Sequence, residues 1–220
     1  PSDKTNLFEG IDTSWNRVEG GKAIGTLISK ISAEFDFKNP SASVPDLAKA
    51  YSMIQNLKNE HWKAVKTKEI KEIIAACSGL FLESVAENQS ATPDSDVNVT
   101  LEAINRSTIN MVLESITVLP ENKVFPQNIN LKNNVNESVV LPIHLPSTLD
   151  FTAPYWLKAE GSVGIYRVDD QKNIGKPDII REVKTIFNVK INGVSIPFER
   201  TVIYKYNNPV TGEVYKPFDI

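Results

Sequence analysis

The sequence predicts an α+β protein, with an N-terminal three-helix segment followed by an antiparallel immunoglobulin-like β-sandwich. Three observations carry this expectation. Up to about Glu87 apolar residues recur at helical spacing, as Ile70, Ile73, Ile74, Cys77, Phe81 and Val85 show, and a period near 3.6 gives a helix one buried stripe. A polar stretch with a proline, Asn88 to Asp96 (NQSATPDSD), interrupts the pattern. From Val97 the apolar residues alternate instead, through Val99, Leu101 and Ala103, and a period of 2 gives a strand one buried face. The expected division is a helical segment over residues 1–88, with an extended lead-in and three helices, and a sandwich over residues 96–220.

Pro1 to Trp15 has no steady period and reads as the extended lead-in. Glu19-Gly20-Gly21 then opens helix one, whose face carries Ala23, Ile24, Leu27, Ile28, Ile31 and Phe35. Lys38-Asn39-Pro40 stops it, because proline cannot continue the hydrogen-bond ladder. Ser43, Pro45 and Asp46 supply a hydroxyl cap, a first-turn proline and a carboxylate near the positive helix end. Leu47, Tyr51, Ile54 and Leu57 make the apolar face of that second helix. Asn59-Glu60 restarts the chain into helix three, expected from Trp62 to Glu87. At about 25 residues and about 40 Å it needs partners along its length, and helices one and two supply them.

In the second part, Val97 to Ala103 is the first strand and Asn105-Arg106-Ser107 its turn. Met111 and Leu113 keep one phase and Ile116 and Val118 take the other, so a bulge is expected within the second strand. Pro120 to Asn136, rich in asparagine, reads as a long connection. Val139, Leu141, Ile143 and Leu145 alternate with Pro142 and His144 opposite, and the proline marks an edge strand. Gly161 to Val168 reads as another strand, ended by Asp169-Asp170-Gln171. Val183, Thr185, Phe187, Val189 and Ile191 lead directly into Asn192-Gly193, a strong hairpin signal because both residues tolerate positive φ. Val194, Ile196 and Phe198 return. Val202, Tyr204 and Tyr206 follow, and Asn207 to Gly212 turns the chain into Val214 to Phe218. Seven or so short strands fit an immunoglobulin-type sandwich.

Composition narrows the function classes. A hydrophobic fraction of 41% and a charged fraction of 23% over 220 residues suit a globular chain. A domain of ~150 residues buries ~70% of its unfolded surface without covalent help. Cys77 is the only cysteine, which excludes an intrachain disulfide. A formal net charge of −3 argues against nucleic acid, whose phosphates call for a basic surface. No apolar run approaches the ~20 residues of a membrane span. The sequence starts at Pro1, has methionine only at Met53 and Met111, and stops in strand-like PFDI. It is therefore expected to be a piece of a longer polypeptide, with no signal sequence in this part.

No catalytic or metal-binding constellation is legible. A Walker loop needs glycine and Ser/Thr where Asn16 and Ala23 stand, and a dinucleotide loop needs glycine in place of Lys22. Lys63, Lys66, Lys68 and Lys71 alternate with Glu60, Glu69 and Glu72, the mark of a solvated helix face. Zinc needs three or more converging ligands, whereas His61 and His144 fall in different parts of the chain. Cys77 lies on the apolar stripe, where packing is expected rather than nucleophilic chemistry. There is no Gly-x-Ser-x-Gly elbow, and Asp169, Asp170 and Glu213 read as solvated turn residues. Glycosylation triplets begin at Asn88, Asn98, Asn105 and Asn136, but an asparagine-rich chain yields such matches by chance. The aromatic residues are the remaining candidates. Tyr155, Trp156, Tyr204 and Tyr206, with Tyr215, offer rings for sugar stacking, although for Trp156 an inter-sheet core position is favoured.

Five stretches, in order along the chain, carry a resemblance. They are LFEGIDTSWNRVEGGKAIG (residues 7–25), FDFKNPSASVPDL (35–47), EIIAACSGLFLES (72–84), APYWL (153–157) and VIYKYNNPVTGEVYKPF (202–218). They resemble the region that follows the catalytic domain in large Bacteroidetes members of the PIG-L (LmbE-like) deacetylase family. Asn208 stands where the resemblance implies an acidic residue. The family's His-Pro-Asp-Asp-Glu-like zinc motif is not in this sequence, so the resemblance carries over no catalytic residue and places zinc only in a catalytic domain outside this chain. It implies a non-catalytic accessory region that packs on, or positions, the N-terminal catalytic domain of an exported N-acetyl-sugar deacetylase, hence a periplasmic or secreted setting. That role would put an apolar docking patch on the helical third. The alternatives are a carbohydrate-binding sandwich, or an adhesion and assembly module that pairs through a free sheet edge.

Overall fold

The computed structural model describes residues 8–176 and 179–220. Residues 1–7 of the expected lead-in, including the first residue of the leading motif, lie outside them. The helices begin with a 3₁₀ turn at Trp15–Arg17, followed by α1 (Gly21–Ala33). A second 3₁₀ turn, Pro40–Ser43, runs straight into α2 (Val44–Gln55). Ser43 is therefore already helical, at φ −79° and ψ −15°, and makes no side-chain cap. Asn59 does cap α3 (Glu60–Ser78), its side chain accepting from the Trp62 amide at 3.1 Å.

Helix three is shorter than its apolar spacing suggests. Gly79 takes the left-handed conformation, with φ +60°. The Leu80 amide then bonds back to the Ala75 carbonyl and the Gly79 amide to that of Ala76, a closure that ends a helix by satisfying its last carbonyls. Phe81–Ala86 leaves this stop as a strand, β1. Leu82, Ser84 and Ala86 on β1 are buried, in phase with Leu80 just before it, and Glu83 is buried beside them; this period of 2 is hidden because Phe81 and Val85 also continue the helical phase from Cys77. The expected helix through Glu87 is thus corrected, and β1 falls within residues 1–88.

The remaining strands are β2 (Asp96–Ile104), β3 (Met111–Leu119), β4 (Lys123–Asn130), β5 (Asn136–His144), β6 (Lys184–Ile191), β7 (Val194–Thr201), β8 (Ile203–Asn208) and β9 (Gly212–Pro217). One sheet has the order β5-β2-β1-β8-β9 and the other β4-β3-β6-β7. All named pairs are antiparallel except β1 with β8, where Val85 faces Ile203. The chain is therefore α+β, with three α-helices and two mostly antiparallel sheets among the described residues.

The phase slip in β3 is a real bulge. Leu113 pairs Val189 and Ser115 pairs Asn188, leaving Glu114 as the extra residue. Asn192 and Gly193 turn the β6–β7 hairpin with φ of +47° and +86°, the two positive values a tight primed turn requires. Two expectations are corrected. Pro120 to Asn136 is not all connection, since β4 (Lys123–Asn130) occupies its middle and pairs with β3. Gly161 to Val168 is not a strand and holds only an isolated bridge from Ser162 to Ile165. Its alternation has no neighbouring strand to pair with, and at Gly161 an added Cβ would come within 2.8 Å of the Ile165 carbonyl oxygen.

Prolines divide edges from interiors. The four edge strands β4, β5, β7 and β9 carry Pro126, Pro142, Pro197 and Pro217. The five interior strands carry none. Proline has no N–H to give a ladder, so it is tolerated at an edge and excluded between two neighbours.

A single apolar core runs through both parts, from Ile24, Ile54 and Ile74 on the helices to Leu101, Ile116 and Phe187 on the sheets. The lysine of α3 at position 71 adds a polar tie, its Nζ donating to the Pro197 carbonyl of edge strand β7 at 2.8 Å. Burial pushes the Lys71 pKa down. Between the sheets, the hydroxyls of Ser84 on β1 and Thr185 on β6 meet at 2.5 Å, both buried. Thr185 also donates to the Arg200 carbonyl at 3.5 Å, which leaves Ser84 to donate across the gap. Thr185→Val is expected to cost about 1–3 kcal/mol, because it strands a buried Ser84 hydroxyl. Adding Ser84→Ala is expected to restore much of that loss, and urea denaturation of both variants measures the coupling.

Candidate functional site

The candidate aromatic residues fall into two pairs. Tyr155 and Trp156 lie on a 3₁₀ turn, Tyr155–Leu157, within the connection from β5 to β6. Their rings meet edge to face, 4.9 Å between centres. The Tyr155 hydroxyl accepts from the Gly175 amide at 3.2 Å and ties two ends of the connection together. Tyr204 and Tyr206 alternate on β8 with near-parallel rings 6.0 Å apart, and Lys216 Nζ lies 5.6 Å from the Tyr206 ring centre. The pairs line separate clefts: Trp156 borders one of about 490 Å³, and Tyr204 another of about 340 Å³. Tyr215 on β9 is exposed and donates to Glu213 at 2.9 Å.

Trp156 is half-buried on this turn, so the core position favoured from its residue type is corrected. The inter-sheet space is filled by smaller apolar side chains together with Phe187 and Phe198. Phe187→Ala is expected to cost about 3–5 kcal/mol. Trp156→Ala should cost less than about 3, since a half-exposed ring loses less burial. Parallel urea titrations of the two variants compare them directly.

Around Trp156 the connection presents apolar side chains to solvent. Phe151 is 67% exposed, Ile165 69% and Tyr166 66%, and Leu157, Val163 and Ile174 are exposed too. Trp156, Leu157, Ile165 and Tyr166 share the larger cleft with Gly161 and Gly164. The segment is anchored where the Thr152 amide donates to the Ile220 carbonyl and its hydroxyl accepts from the Ile220 amide, at 3.1 and 2.8 Å. On the described helices the exposed large apolar residue is Ile73. Before α1, Phe8 and Ile11 are exposed, and after it the exposed Phe37 ring meets Phe35 edge to face, 5.0 Å between centres. The β5–β6 connection, whose alternation had disguised it as a strand, exposes a further run of apolar side chains beside those of the helical third.

The charged groups form a different kind of cluster. Glu83 on β1 is buried, and Lys205 on β8 meets it at 2.6 Å, with Glu213 at 3.7 Å and Glu102 at 3.9 Å. One ammonium thus joins β1, β2, β8 and β9. The Glu83 bond holds the Lys205 pKa above its usual value, against partial burial. A raised lysine pKa contributes stability fully below the unfolded value of about 10.4 and loses it as pH climbs through the folded value. Wild-type stability should therefore fall above pH of about 10. Lys205→Met should be less stable at pH 7, with a flatter alkaline profile, as denaturation across pH 7–11 would show.

His144, exposed, contacts Asp96 at 2.9 Å and Asp94 at 3.6 Å, while His61 meets Trp62 edge to face on α3. The Cys77 thiol is half-buried, and burial pushes its pKa up, which suits packing rather than attack. Among the described residues no three His, Cys, Asp or Glu side chains gather to hold a metal ion. Among the described residues no helix is long and apolar enough to cross a membrane.

No family model matches the chain, and no curated protein does. Among solved structures, the Pseudomonas fluorescens alkylpurine DNA glycosylase AlkC bound to DNA containing an abasic site analog is similar at 9% identity and a TM-score of 0.28. The match covers 77% of this chain and 48% of that one, so the chain spans less than half of that structure. A likeness at this level carries neither fold nor function across.

Proposed function

We propose that this chain is the non-catalytic accessory region of a zinc-dependent N-acetyl-sugar deacetylase of the PIG-L (LmbE-like) type, packing on or positioning that enzyme's catalytic domain. On this reading the partner belongs to the same polypeptide, zinc belongs to the partner, and the setting is periplasmic or secreted. The two sheets are read as an immunoglobulin-like sandwich, supported by their shared core and by the Ser84–Thr185 contact between them. The five ordered sequence stretches supply the identity of the partner.

The observation that carries a docking role is the exposed apolar connection between β5 and β6. Large apolar surface left to water is rare on a monomer and marks a place where something else sits. Here Trp156 and Tyr166 would give the contact its bulk, and aromatic side chains are enriched at the centres of such interfaces. The test is to join the chain to a PIG-L-type catalytic domain and follow amide hydrogen exchange over 151–174. Docking predicts slower exchange there than in the chain alone, and Leu157→Ser with Ile165→Ser should abolish the difference. Unchanged exchange would overturn the docking, and hydrolysis of an acetamido sugar by the chain alone would overturn the non-catalytic reading.

A further inference from the structure

The helical part builds a cleft that the docking role does not use. Trp15 lies on the 3₁₀ turn before α1, and Trp62 in the first turn of α3. Trp15 rests on α1 at Gly25, where an added Cβ would come within 2.8 Å of the Trp15 Cβ. Only glycine lets the indole lie this close. With Thr13, Ser14, Arg17 and Lys66, the two indoles enclose a cleft of about 160 Å³.

Two cations converge on it. The Arg17 guanidinium carbon lies 4.0 Å from the Trp62 ring centre, and Lys66 Nζ lies 5.8 Å from the centres of both indoles. Stacking fixes the plane of the guanidinium and leaves its N–H donors pointing sideways. No acceptor within the described residues takes those donors; Asp12 attracts Arg17 only through space. Lys66 meets Glu69 at 2.8 Å, but that carboxylate is half-exposed on the surface of α3. A solvent-screened pair of this kind is worth little, and a competing anion displaces it readily.

The chemistry of the lining selects the ligand. Cations lie over the indoles, so the cleft offers a sugar ring less open π-face than positive charge. A guanidinium fork matches a carboxylate through two parallel hydrogen bonds. The volume is below the ~300–1,000 Å³ of sites that enclose a whole drug-sized ligand, so the cleft receives the end of a molecule. We infer that the Trp15–Trp62 cleft binds the carboxylate of a small organic ligand, with Arg17 as the bidentate donor and Lys66 as the second charge. This site shares no residue with the β5–β6 connection and does not depend on the docking role.

Tryptophan fluorescence reads the site directly once the third tryptophan is silenced in a Trp156→Phe background. Glucuronate and glucose make a matched pair of probes, because they differ in the carboxylate. At constant ionic strength glucuronate should change the emission saturably and glucose should not. Arg17→Gln should weaken glucuronate about tenfold or more while the circular-dichroism melt stays in place. Lys66→Met should weaken it by a smaller factor. Inorganic phosphate binding as tightly as glucuronate would overturn the carboxylate assignment. Absence of saturation, equal response to glucose, or an unchanged titration in Arg17→Gln would overturn the site. If Arg17→Gln fails to fold, the dependence of glucuronate binding on salt decides: a charged site must weaken as salt rises, and a salt-independent response overturns it.

Discussion

The sheets depend on one backbone event, the left-handed turn at Gly79. It ends α3 and releases Phe81–Ala86 as the middle strand of the five-stranded sheet, with β2 on one side and β8 on the other. A side chain at position 79 would meet two obstacles together. The φ of +60° disfavours any Cβ, and the added atom would come within 2.9 Å of Arg106 Cβ. Since β1 also supplies Ser84 to the inter-sheet contact and Glu83 to Lys205, extending the helix by one turn would remove the centre of one sheet and both polar ties. The helical and β parts are therefore not stacked as independent pieces. The strand that organises the sheet is delivered by the helix.

With its centre fixed in this way, the problem moves to the rims. Two open sheets have four edge strands, and each exposes unpaired backbone groups that invite another chain. Here each edge has a proline, and on β7 the Pro197 carbonyl is also taken by Lys71. Charged residues reinforce this on β9, where Glu213 and Lys216 flank the strand centre. These devices oppose strand addition along much of every edge. Association through the exposed side chains of the β5–β6 connection meets no such obstacle, since it does not rely on backbone pairing.

What was legible in the sequence follows from how local the cause is. The Asn192-Gly193 hairpin, the Pro142 edge and the β3 bulge each have their reason within a few residues, and each stands where the pattern puts it. β1 was hidden because Phe81 and Val85 satisfy a helical and an alternating period at once; only Gly79 distinguishes them. β4 was hidden because an edge strand needs little apolar content, and its KVFPQNIN reads as loop by composition. The opposite error occurred at Gly161 to Val168, where Val163 and Ile165 alternate without a neighbouring strand. Strand pairing is a property of two segments, and the parallel contact of β1 with β8 joins residues far apart in sequence. The candidate sites show the same divide. Tyr155 and Trp156 are adjacent in sequence and in space, whereas Arg17 and Trp62 meet only after α1 and α2 have folded between them.

The three tryptophans bring these threads together. Trp is normally among the more buried residues on average, yet Trp15, Trp62 and Trp156 are all half-exposed, and each borders a cleft. Trp15 and Trp62 pack against the edge of the core, whose largest wholly buried side chain is Phe187. Core packing accounts for one side of Trp15 and Trp62 but not for the clefts that all three indoles border. Their neighbours differ in a way that packing alone would not sort, because Trp156 keeps company with exposed Leu157, Ile165 and Tyr166, while Trp15 and Trp62 stand beneath Arg17 and Lys66. An indole offers both an apolar body and a polarised face. One surface of this chain exposes the first property and the other the second, and the two proposed sites rest on different chemistry.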